Sequence, residues 1–163
     1  MKNLILPGNS IGNKKWAEDL DIPDKIVWNW AHWVSGVESD FDENKEAIKI
    51  KAQFENSSIN ILAKSIGTFV LMKLLNLGFA PVKFILCGVP LKGIKEKGVE
   101  SDYLMLSKYV PEIIIQNTHD HWGSYTEVLE FIHGINPNIT VISKEADHHS
   151  YPYSDEFNKY GEF

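Results

Sequence analysis

Serine, aspartate and histidine occur in that order along the chain, each just past the end of a short apolar run. Ser65 follows Ile59-Asn60-Ile61-Leu62-Ala63-Lys64 and precedes Ile66-Gly67-Thr68. Asp120 lies in Thr118-His119-Asp120-His121, after Glu112–Asn117, and His148 and His149 close Glu145-Ala146-Asp147-His148-His149, after Ile139–Ser143. A serine hydroxyl attacks a carbonyl only when a base takes its proton, and an imidazole oriented by a carboxylate is such a base. The three types together are equipment for acyl transfer through a tetrahedral oxyanion.

The serine stands between an apolar strand and an apolar helix, with Ala63 two residues before it and Gly67 two residues after. A strand that turns this sharply into a helix brings the two backbones close together, and small residues at those positions leave room. The N–H of Ile66 would then sit at the helix N-terminus, aimed with the helix dipole at a developing oxyanion. The competing reading is that Ser65 caps its helix through its side chain.

The positioning elements follow from the hydrophobic pattern. Apolar residues run on consecutive positions in short stretches, as in strands covered on both faces. Strands are expected at Asn3–Leu6, Lys25–Trp30, Ile59–Ala63, Lys83–Cys87, Glu112–Asn117 and Ile139–Ser143. Helices are expected near Lys14–Leu20, Glu43–Phe54, Ile66–Leu77 and Tyr125–His133, with a short one after Ser154. Alternation of this kind predicts an α/β fold, doubly wound, with a mainly parallel six-stranded sheet and helices on both faces. Its functional edge lies at the strand C-terminal ends, where Ser65, Asp120 and the histidines fall. Ile66–Leu77 is apolar nearly all round and stops at Gly78, which reads as a buried helix with a glycine terminator. In Glu43–Phe54 the residues Ala47, Ile48, Ile50 and Phe54 form the inward face, while Glu43, Lys45, Glu46, Lys49 and Lys51 form a solvated one. Leu91–Lys108, with two glycines and four lysines, occupies the place of a lid but is too short for a separate cap.

Composition narrows the function classes. The 163 residues are 44% hydrophobic, enough for a sizeable core, and with no repeat or linker one domain spanning 1–163 is expected. The net charge of −6 and the absence of arginine, all 16 cations being lysine, exclude a nucleic-acid binder. The one cysteine, Cys87, rules out an intramolecular disulfide and reads as a buried small hydrophobe. No apolar run reaches membrane-spanning length and none at the N-terminus suits a signal peptide, so no membrane partner and a cytoplasmic location are expected. Gly8-Asn9-Ser10-Ile11-Gly12-Asn13-Lys14 falls one residue short of a phosphate-binding loop. His119, Asp120, His121, His148 and His149 are all metal-ligand types, so a His/Asp metal-dependent hydrolase is one rival reading. Trp28, Trp30, Trp33 and Trp122 read either as pocket wall or as core packing, and His32 and His133 as structural.

The chain resembles the α/β-hydrolase superfamily, and within it the small serine hydrolases of the retinoblastoma-binding-protein-nine kind, over nearly its whole length. Leu4-Ile5-Leu6-Pro7-Gly8-Asn9 is similar to the family's first strand and oxyanion loop, with Trp16 at the tryptophan-bearing helix start. Ala63-Lys64-Ser65-Ile66-Gly67 is similar to its Gly-x-Ser-x-Gly elbow, with Ala for the first Gly. Ile115-Gln116-Asn117-Thr118-His119-Asp120-His121-Trp122-Gly123-Ser124 follows its acid motif, with Asn117 for Gly, a residue that tolerates positive φ. The resemblance implies a minimal fold without a large lid and a serine esterase with a catalytic triad. Ser65 would be the nucleophile, Asp120 the acid, and Asn9 and Ile66 the oxyanion-hole amides. Ala146-Asp147-His148-His149-Ser150-Tyr151 offers two registers for the base, of which the Asp-His register, His148, is preferred over His149. No metal or cofactor is implied, and the partner is a small-molecule substrate, an ester or else a thioester or amide, in an open cleft. Lys64 reads either as a positive charge beside the elbow or as a side chain turned to solvent. A non-catalytic binding module on the same fold is the second rival.

Overall fold

The structure, a computed structural model, describes residues 1–163. Its strands are β1 (Lys2–Leu6), β2 (Lys25–Val27), β3 (Ile59–Lys64), β4 (Phe84–Cys87), β5 (Ile113–Asn117) and β6 (Val141–Lys144). They form one six-stranded sheet in the order β2-β1-β3-β4-β5-β6, every neighbouring pair parallel. Helices α1 (Gly12–Asp19), α2 (Ala31–Ser35), α3 (Glu43–Phe54), α4 (Ile66–Asn76), α5 (Leu91–Lys97), α6 (Tyr125–Ile135) and α7 (Ser154–Gly161) connect and cover them, with 3-10 turns at Glu38–Asp40 and Glu100–Ser107. This is the doubly wound α/β architecture that the uninterrupted apolar runs predict.

Each inner strand feeds two cores, because successive side chains leave opposite faces of the sheet. Leu4, Leu6, Ile61, Ala63, Leu86 and Ile114 enter a large cluster with α3, α4 and α6. Ile5, Leu62, Ile85, Cys87, Ile113 and Ile115 enter a smaller one with Ala17 of α1 and Phe157 of α7. The strand order reverses between β1 and β3, and at such a switch point the connections leave in opposite directions and open a crevice. Gly8 and Ser65 line a cleft there.

Several local expectations are corrected. Glu46 is not on a solvated face: it is 2% exposed, and its carboxylate accepts from Trp28 Nε1 at 2.9 Å and from the Ala31 amide at 3.0 Å, starting α2. Ile48, expected inside, is 58% exposed. β2 ends at Val27, short of the expected Trp30, because Trp30 turns into the core instead of continuing an edge strand. Leu91–Lys108 is packed as α5 and a 3-10 turn, with Leu91, Ile94, Tyr103 and Leu106 in the core and Asp102 paired to Lys73 of α4 at 2.7 Å. Cys87 is fully buried, as expected, and burial pushes its thiol up to about 12. No helix is long and apolar enough to cross a membrane.

Candidate active site

The β3–α4 turn holds Ser65 at φ +52°, ψ −119°, outside the ordinary regions for a side chain larger than glycine. Such strain costs on the order of 1–3 kcal/mol and persists only when the surroundings enforce it. The enforcement is visible. The Ser65 amide donates to Cys87 O at 3.2 Å, and the Ser65 carbonyl accepts from the Thr68 amide at 2.9 Å and from Thr68 Oγ1 at 2.7 Å. Thr68 Oγ1 in turn lies 2.5 Å from the buried hydroxyl of Tyr103. A Cβ on Gly67 would come within 2.2 Å of Leu6 O, so β1 and α4 approach as closely as glycine permits. The Ser65 side chain makes no capping bond to α4, which removes the cap reading.

Facing it is the loop after β1. Trp30 Nε1 donates to Gly8 O at 3.2 Å, while Trp33 Nε1 and His32 Nε2 both reach Asn9 O, at 2.7 and 2.8 Å. With a carbonyl as its partner, His32 Nε2 carries the proton, and Nδ1 is left buried without a partner. Both carbonyls are thus engaged by ring N–H donors, and the Asn9 N–H has no acceptor within the protein. Trp30 and Trp33 are therefore props of this loop, Trp28 holds Glu46 instead, and none of the three lines the cleft. Trp122, 43% exposed, does line the cleft.

Asp120, 3% exposed, sits in a tight turn beyond β5. Its Oδ1 accepts from the Trp122 amide at 2.9 Å and its Oδ2 from the Tyr151 hydroxyl at 2.7 Å. Burial first, and the charge of Asp120 second, hold the Tyr151 phenol far above its ordinary pKa, so it remains a donor. Gln116 fixes the same turn, donating to Gly123 O at 2.6 Å and accepting from the Val89 amide at 2.9 Å.

Asn117 was expected to matter for its tolerance of positive φ, but its φ is not positive. It acts through its amide. Nδ2 donates to the carbonyls of His148 and Ser150 at 2.8 and 2.9 Å, and Oδ1 accepts from Tyr153 Oη at 2.7 Å. These two bonds hold the backbone on either side of His149. His149, not the preferred His148, lines the cleft with Ser65 and Asp120. Both histidines are exposed, and what separates them is that His148 lies outside the cleft lining, its Nδ1 accepting from the Ser150 amide at 3.2 Å. The His149 ring packs edge-on against His121 with centroids 5.1 Å apart. Burial, then the positive charge of Lys64 and the rings of His121 and His148, lower its pKa below 6.5, with Asp120 opposing. No hydrogen bond directly joins Ser65, His149 and Asp120 in this arrangement.

The cleft encloses about 250 Å³ and also meets Ser10, Asn13, Ile66, Phe69, Pro90 and Gly93. Four of the expected residues, Ser65, Asp120, Asn9 and Ile66, are brought to it, and His148 is the one left out. Sequence reasoning missed Tyr151, whose position two residues after His149 was the available signal, and it left Lys64 undecided. Lys64 is buried at 4% exposure, not turned to solvent. The histidines and acids of the metal reading are not gathered: no three His, Cys, Asp or Glu side chains are placed to hold an ion, and His119 faces Glu145 at 3.8 Å.

No protein-family model, curated protein or solved structure matches the chain.

Proposed function

We propose that the protein is a serine hydrolase acting on small or openly presented esters, with Ser65 as nucleophile, His149 as base and Asp120 as the acid that orients it. The observation that carries this reading is the strained, uncapped serine at the switch-point crevice, facing a loop whose carbonyls are engaged by ring N–H donors.

Ser65 Oγ attacks the ester carbonyl as His149 takes its proton, giving a tetrahedral intermediate. The N–H groups of Ile66 and Asn9 receive the oxyanion, each such donor being worth about 3 kcal/mol in the transition state. Collapse breaks the ester bond, and the alcohol leaves with the proton from His149. Water, deprotonated by His149, then cleaves the acyl-serine and regenerates the hydroxyl. Asp120, fixed by Tyr151 and the Trp122 amide, stabilises the imidazolium at each stage.

The binding-module reading has one observation on its side, the missing hydrogen bonds between the three side chains. Ligand-free active sites often have such loose contacts and tighten on substrate. The test is a p-nitrophenyl ester series from acetate to palmitate on wild type and Ser65→Ala. The hydrolase reading predicts turnover that is best on the short esters and lost in the variant. No turnover of any ester by wild type would favour the binding module, and activity unchanged in Ser65→Ala would remove Ser65 as the nucleophile.

A further inference from the structure

Among the sixteen lysines Lys64 alone is buried, and the hydrolysis scheme gives it no part. It ends β3, one residue before Ser65, on the sheet face that bears Leu62, and pairs in register with Cys87. Its Nζ donates to Asn13 Oδ1 at 2.7 Å and stands 4.7 Å from the centre of the Trp16 ring. No carboxylate lies within salt-bridge distance, and the charged side chains that share the cleft are Asp120, already bonded to Tyr151 and Trp122, and His149. Around the ammonium the cleft wall is neutral: Gly8, Ser10 and Asn13, whose Nδ2 donates to Ser10 Oγ at 2.9 Å.

An ammonium taken out of water costs several kcal/mol unless an anion compensates it. One neutral acceptor and one aromatic face compensate only in part, and an ammonium has three N–H groups. Burial lowers the Lys64 pKa, whereas Cys87 and Asp120 raise it. The missing partner can approach only through the cleft, since the rest of the side chain is covered. Lys64 and Ser65 line the same cleft of about 250 Å³, so an anion on this ammonium and an acyl group on Ser65 share one small enclosure.

We propose that Lys64 is a specificity-determining residue that binds a carboxylate carried by the substrate close to its scissile carbonyl, selecting half-esters of short dicarboxylic acids over neutral esters of the same length. This rests on the hydrolase reading above. Lysine suits the task as a point charge with rotatable donors, where arginine would need room for its planar fork. The open cleft and its polar rim at Ser10 and Asn13 leave the carboxylate partly hydrated, which favours a short, flexible acid.

The test compares mono-4-nitrophenyl glutarate with 4-nitrophenyl pentanoate, equal in acyl length, with spontaneous hydrolysis subtracted. Wild type is expected to favour the glutarate at least tenfold in kcat/KM, with the preference shrinking as salt is raised. Lys64→Met is expected to abolish that ratio, mainly through KM for the glutarate. A wild type with no preference for the glutarate overturns the proposal without any variant, and Ser65-dependent pentanoate hydrolysis in that case leaves the hydrolase reading intact. Equal losses on both esters in Lys64→Met also overturn it, because they show Lys64 acting through the triad. If neither ester is hydrolysed and Ser65 resists phosphonate labelling, the hydrolase reading falls and this proposal falls with it.

Discussion

The Tyr151 hydroxyl stands between Asp120 and the backbone of β5, donating to Asp120 Oδ2 at 2.7 Å and accepting the Asn117 N–H at 3.1 Å. One phenol therefore ties the acid to the strand that delivers it. The ring fits because residue 88 is glycine, where a Cβ would come within 2.7 Å of Tyr151 Cε2.

Tyr151→Phe removes both bonds and leaves a buried N–H without a partner. An unsatisfied buried donor costs about 1–3 kcal/mol, so the urea midpoint should fall by that equivalent at unchanged m. The kcat for a short ester should fall as well, since Asp120 loses the donor that fixes it. An unchanged midpoint would show the Tyr151 contacts to be energetically neutral.

The placement of the two histidines predicts unequal variants. His149→Ala should lower kcat by about 10⁴ or more, as loss of a triad base does, while His148→Ala should cost far less. The opposite ranking would return the role to His148.

The pH profile follows from the surroundings of His149. A base works when neutral, so kcat/KM should hold above its pKa and be lost as pH falls through it. Burial and the positive neighbours Lys64, His121 and His148 outweigh Asp120 and depress that pKa, which puts the midpoint of the acid limb below 6.5. A limb centred above 6.5 in free enzyme would show that Asp120 dominates instead.

The sheet was legible because parallel strands covered on both faces leave an unbroken apolar run, and Ser65 was legible because the elbow is local, its small neighbours lying two residues away. His149 was not. Which of two adjacent histidines lines the cleft depends on Asn117, 31 residues before His148, and on Tyr153, five residues after it. Likewise α2 depends on Glu46, whose charge reads as solvated in a helical pattern and whose burial is imposed by Trp28 and Ala31. Lys64 was ambiguous for a related reason: the residue that ends a strand either follows its strand's buried face or leaves it, and the covering α1 residues Asn13 and Trp16 decide.

The central claim is that Ser65 is a nucleophile, and covalent labelling with a fluorophosphonate, located by peptide mass spectrometry, tests it most directly without knowledge of the substrate. Wild type should gain one label on the peptide carrying Ser65, and Ser65→Ala, with its circular dichroism unchanged, should gain none. A folded wild type that takes no label at Ser65, or a Ser65→Ala protein labelled as fully as wild type, would contradict the account.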